Sequence, residues 1–240
     1  MILRRLVIAL RRQDFVTVTI ETLIVVLGVF LGIQLGNWNE AQREDARRDR
    51  VTAHLITDLT EIERRAGETA EIYDGRVQSA LRLTAFLRSD QAAPDDLALF
   101  EDDVDRVLST STAIPRSPTV IELLASGDTG LIDNEGLRFD IVRFDRSMQS
   151  ATDANVGIID LWARYTEPVS LHAYPVFGPT PDGQSYEAVE IVHDIEALRA
   201  DPRVLPALSW LASVNRAELE LRRAVGEDAA TLRARLEPAR

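Results

Sequence analysis

A chain of 240 residues has room for a membrane anchor and one further domain of about 200 residues, large enough to bury its own core. Net charge is −12 and uneven: residues 39–240 carry 23 arginines against 37 carboxylates, which argues against nucleic acid or anionic lipid as partners of that part. There is no cysteine, so disulfides, a thiolate nucleophile and Cys-ligated zinc are excluded.

The chain opens with a basic stretch over residues 1–14. Arg4, Arg5, Arg11 and Arg12 stand there against Asp14, with Ile2, Leu3, Leu6, Val7 and Leu10 on one helical side. Residues 15–38 are an apolar run. Its centre, Ile20 to Leu35, holds one charge, Glu21, and one amide, Gln34. Phe15 to Leu35 would span about 31 Å as a helix, against roughly 30 Å of hydrocarbon in a bilayer. A signal peptide has a shorter apolar region and a small-residue cleavage site, and Gly36-Asn37-Trp38-Asn39 offers none. The expectation is an uncleaved transmembrane anchor.

Arginine counts before and after the span tie, since Arg43, Arg47, Arg48 and Arg50 follow it. That second cluster is interleaved with Glu40, Glu44, Asp45 and Asp49, and a short tail normally stays inside while a long domain crosses. The reading is therefore an inner-membrane protein with a cytoplasmic N-terminus and residues 39–240 in the periplasm.

Beyond the span, Leu55, Leu59, Ile62, Ala66, Thr69, Tyr73, Val77, Ala80 and Leu87 recur at three- and four-residue steps. No proline interrupts before Pro94, so one continuous helix is expected from about Phe15 to Arg88. Pro94 with Asp95 and Asp96 suits the first turn of a helix ending near Ser109. Ser117-Pro118 caps a third, stopped by Gly127 in the left-handed region. Asp133 is expected to cap a helix running through Trp162 and ending before Pro168. The prolines and glycines of 168–184 predict an irregular loop. Tyr186 to Leu198 reads as helix, with Val189 to Val192 alternatively extended. Asp201-Pro202 opens a last helix to about Leu236. The fold class expected is all-α: a transmembrane helix continuing into a long helix, with a helical bundle beyond the membrane.

Two blocks carry a family resemblance. One is Glu21 followed by Leu-Ile-Val-Val-Leu-Gly-Val, then Leu35-Gly36-Asn37-Trp38-Asn39-Glu40; the other is Ile121-Glu122-Leu123-Leu124-Ala125-Ser126-Gly127-Asp128, then Leu131 to Glu135 and Leu137-Arg138. With these the chain resembles an uncharacterised bacterial family of single-pass membrane proteins, the domain of unknown function 6090 type. The resemblance implies a bitopic, mostly helical protein and brings no activity, cofactor or catalytic residue.

Gly28, Gly32 and Gly36 lie four apart, a double small-xxx-small pattern that lets two helix backbones approach in lipid. Chance alignment of glycines, common in membrane helices, is the plainer alternative. Glu21 either faces a partner within the span or lies at headgroup level. Trp38 suits the interfacial belt as an anchor. In the turn containing Gly127, Asp128 and Asp133, a tight inter-helix connection is weighed against a ligand or partner contact. His54, His172 and His193 are dispersed, and Glu101 to Asp105 would spread its carboxylates around a helix. No phosphate loop, nucleophile elbow or metal motif is present. The expectation is a non-enzymatic protein without cofactor, acting by assembly as a homo-oligomer or an accessory subunit of a membrane complex. The rival is a periplasmic sensory or small-molecule-binding module signalling through a separate partner.

Overall fold

The computed structural model describes residues 15–110, 113–180 and 184–237; the basic stretch 1–14 lies outside them. In chain order the elements are α1 (Phe15–Arg88), α2 (Leu97–Leu108), α3 (Pro118–Ser126), a 3-10 turn (Asp128–Leu131), α4 (Glu135–Ser170), β1 (Ala173–Pro179), β2 (Tyr186–His193), α5 (Ile195–Ala200) and α6 (Val204–Leu236). The fold is all-α in class, with one small hairpin. The chain divides into two compact units, Met1–Val51 and Thr52–Arg240, so residues 39–51 group with the apolar segment.

In the first unit, every large apolar side chain from Ile20 to Leu35 is exposed, Ile24 and Val25 each at 64%. Among the described residues, one helix is long and apolar enough to cross a membrane, and this is its apolar part.

The second unit is a bundle of three long helices. The stripe read from the sequence is its seam: Leu55, Leu59, Ile62, Ala66, Tyr73, Val77, Ala80 and Leu87 are all buried, and only Thr69 is half-exposed. Each such Leu or Ile contributes about 1.5–3 kcal/mol by leaving water. α6 runs antiparallel to α1. Arg233 pairs with Glu63, Gly226 lies against Ala66, Leu219 packs with Ala70 and Tyr73, and Leu208 and Leu211 share a core with Leu83 and Leu87. α4 also opposes α6, from the Asp140–Arg235 ion pair at one end to the Tyr165–Trp210 ring stack, 5.2 Å between centroids, at the other.

Capping chemistry sets the short elements. Asp96, in extended backbone (φ −126°, ψ 102°), accepts the Leu99 N–H at 3.0 Å, so α2 begins after Asp96 and Pro94 falls outside its first turn. Ser117 accepts the Val120 N–H at 3.0 Å and donates its hydroxyl to Asp58 on α1 at 2.7 Å; the same carboxylate accepts the Thr119 N–H at 3.0 Å. Two carboxylate bonds thus pin the start of α3 to α1. The cap of α4 is Asn134, whose side chain accepts the Leu137 N–H at 3.1 Å, and not Asp133, which lies one residue outside the helix.

α4 also passes Pro168 and ends at Ser170. Pro168 sits in the last turn, where its missing N–H costs a single bond, and the end is closed by Leu171 N–H to the Glu167 carbonyl at 3.2 Å. The expected loop and part of the expected helix are instead the two strands, antiparallel with Ala173 opposite His193 and Tyr174 opposite Val192. Helix begins only at Ile195, after Asp194 accepts the Ala197 N–H at 2.9 Å. Extension wins because the apolar residues of β2 divide between two faces, Ile191 inward and Val192 outward, as period two requires.

Candidate functional site

Gly28, Gly32 and Gly36 lie on α1 at four-residue intervals. Among the described residues, a Cβ on any of the three would meet nothing within 4 Å beyond the adjoining helix backbone. At 3.6 residues per turn they follow one side of the helix, a shallow track between bulky neighbours such as Val29, Leu31 and Leu35. Gln34, two residues from both Gly32 and Gly36, is exposed on the side of the helix away from that track, and Trp38 is 65% exposed two residues beyond Gly36. The Glu21 backbone is helical, and its side chain lies outside the description. Physically the segment offers a surface for another helix or for lipid.

The inter-helix turn resolves into a connection with identifiable parts. Gly127 has φ 75° and ψ 7°, the left-handed cap of α3. The Asp128 N–H donates to the Ser126 hydroxyl at 3.3 Å, Asp133 is exposed, and Leu131 and Ile132 are buried. The residue types fit a plug that seats the α3–α4 corner. Gly127→Val should cost about 1–2 kcal/mol, because a Cβ at positive φ crowds the backbone. The measurement is thermal unfolding of the purified protein, and an unshifted midpoint would contradict the cap.

The most unusual arrangement lies inside the bundle, and sequence reasoning missed it. Arg222 on α6 is 1% exposed. It donates to Glu218 at 3.2 Å, to Asn155 of α4 at 2.9 Å and to the Ala113 carbonyl at 3.1 Å. Arg76 of α1 lies over the Tyr73 ring at 4.8 Å, and Arg222 approaches the same ring at 5.7 Å. Burial pushes the Arg76 guanidinium below its ordinary range and the Glu218 carboxyl above its own. Among the described residues, Arg76 Nη1 and Glu218 Oε1 are buried without a hydrogen bond. The signal was available: Leu211, Asn215, Glu218, Arg222, Val225, Ala229, Leu232 and Leu236 form one stripe, with three polar residues at core positions.

Several polar groups elsewhere are paired. Asp103 is buried and bonded to Arg82, Asp102 pairs with Arg106, and Glu101 lies 3.5 Å from His193, so the carboxylate run does spread around α2. His172 meets Asp201 at 3.1 Å, and Arg203 holds that carboxyl well below the usual range. Clefts of about 220 Å³ between α4 and α6 and about 460 Å³ between α1 and α6 are open to solvent. Among the described residues no three His, Asp or Glu side chains converge as a metal set.

Comparison with known proteins returned nothing: no family model, no curated protein and no solved structure matches this chain.

Proposed function

We propose that this protein is a non-enzymatic, single-pass bacterial inner-membrane protein that acts by assembly, as a homo-oligomer or as an accessory subunit, with residues 39–240 in the periplasm. The observation that carries the reading is the open glycine track on an apolar helix whose large side chains are exposed. In lipid, packing between helices comes from close backbone approach rather than from the hydrophobic effect, so a track of absent side chains is where a second helix gains contact. The solvent-open clefts fit this reading better than they fit a buried ligand chamber.

The test is Gly32→Ile. A central branched side chain separates the backbones and removes the contacts of Gly28 and Gly36 with it, while the span becomes more apolar and still inserts. Dimer signal in a bacterial membrane two-hybrid, normalised for expression, should fall toward background for both the full chain and the isolated span. No association in the wild type would end homo-oligomerisation and leave a different membrane partner. Equal association with Ile at 32 would remove the glycine track as the cause.

A sensory reading rests on a different observation, the two buried arginines and their orphan guanidinium nitrogen. It predicts that a small carboxylate or phosphate raises the unfolding temperature of the wild type and not of Arg76→Met. Absence of any such shift across a set of anions would set it aside.

A further inference from the structure

The hairpin lies at one end of the bundle. The chain enters this unit at Thr52, and the hairpin packs with Leu83 and Leu87, about 50 Å farther along α1. Its two free edges are not equivalent. Asp194 N–H donates to the His172 carbonyl at 2.8 Å, and the register then makes 174/192 and 176/190 hydrogen-bonded pairs by alternation. Pro175 and Ile191, the pair between them, therefore direct their backbones outward. At the tip, Thr180 N–H donates to the Ser185 carbonyl at 2.9 Å, which turns Pro179 and Tyr186 outward in the same way. On β1 these two outward positions are prolines without an N–H, and they alternate with Ala173 and Phe177, so that edge is partly blunted. On β2 both carry a donor. Among the described residues the β2 backbone has no hydrogen bond to anything but β1.

The same place is apolar and acidic. Tyr186 is 75% exposed, Phe177 60%, Val189 58% and Tyr174 45%, and the Glu190 side chain is exposed on the face shared with Tyr174 and Val176. Residues 165–198 hold six carboxylates and no arginine, the longest arginine-free stretch in a chain with 27 of them. We infer that the free edge of β2 is a docking strand for a basic, extended segment of a partner protein, which adds a third strand and places arginine or lysine against the acidic face. A second copy fits less well, because β2–β2 pairing sets the same acidic stretch against itself, like charge on like. Anionic lipid is repelled by the same carboxylates. The inference extends the assembly reading to a surface outside the span, and its experiment does not depend on the glycine track.

The full-length protein in mild detergent is titrated against a short fluorescent peptide alternating arginine and valine, with anisotropy as the readout. Two control peptides accompany it, one alternating glutamate and valine, the other the basic sequence N-methylated at every second amide so that charge is kept and pairing lost. The basic peptide should bind about tenfold or more tightly than either control. Glu190→Arg, at an exposed position, should reverse the preference between basic and acidic peptides. Tyr186→Pro should weaken binding more than Tyr186→Thr, which loses the ring and keeps the N–H. Equal binding of the N-methylated peptide would reduce the surface to a charge patch, and an unchanged preference in Glu190→Arg would place the site elsewhere; either result overturns the docking strand. So would the absence of binding, or self-association that excludes the peptide, which would assign the edge to a second copy.

Discussion

Arg222→Ala should destabilise the protein by about 3–5 kcal/mol, the usual cost of removing one partner from a buried ion pair. The mutation leaves Glu218 at 3% side-chain exposure without its counter-charge, and leaves Asn155 and the Ala113 carbonyl without their donor. Replacing both partners by apolar residues of similar volume, Glu218→Leu with Arg222→Met, should recover most of the loss. Urea unfolding of the wild type, Arg222→Ala and the double variant measures it. If Arg222→Ala unfolds with the wild type, the cluster carries no stability. A pH signature accompanies the pair. Burial raises the folded Glu218 carboxyl above its unfolded value near 4.3, so its contribution is fully present below that value and is lost as pH rises through the folded one. Glu218→Gln should flatten that decline.

The second large effect belongs to the apolar core. Leu208 is fully buried, between α1, α2 and the base of the hairpin, and Leu208→Ala should cost about 2–5 kcal/mol through lost transfer energy and a residual cavity. The adjacent Ser209 is exposed, and its hydroxyl donates to the Leu205 carbonyl of its own helix. Ser209→Ala should stay within about 0.5 kcal/mol of the wild type. Chemical denaturation of the pair checks the contrast, and equal losses would mean that this layer is packed differently.

The long helices were legible because their stripes repeat over many turns. The stripe from Leu55 to Leu87 placed the C-terminal end of α1 near Arg88, and Gly127 announced its own backbone. Single-residue decisions were less legible. Asp133 and Asn134 are both competent caps, and only the backbone at Asn134 decides between them. Pro168 breaks a helix interior but is cheap in a last turn, and where that turn falls depends on packing against Val204 and Leu198. The hairpin was hidden by Pro175 and Pro179, which read as loop until the edge they occupy is known. In the candidate site, the glycine spacing was plain from sequence. The charged cluster was not, because Glu218 and Arg222 look like an ordinary exposed i, i+4 pair until the heptad places them inside.

The antiparallel pairing of α1 with α6 fixes an order of events during synthesis. Glu63 and Arg233 are 170 positions apart, and the seam from Leu55 to Leu87 has its main cover in the last helix described. At roughly 5–20 residues per second, that seam waits about 7–30 s after translation for Val204–Leu236 to emerge. For that interval the nascent chain displays a row of leucines, isoleucine and alanines on an unsheathed helix. Any pause in synthesis before α6 lengthens that exposure.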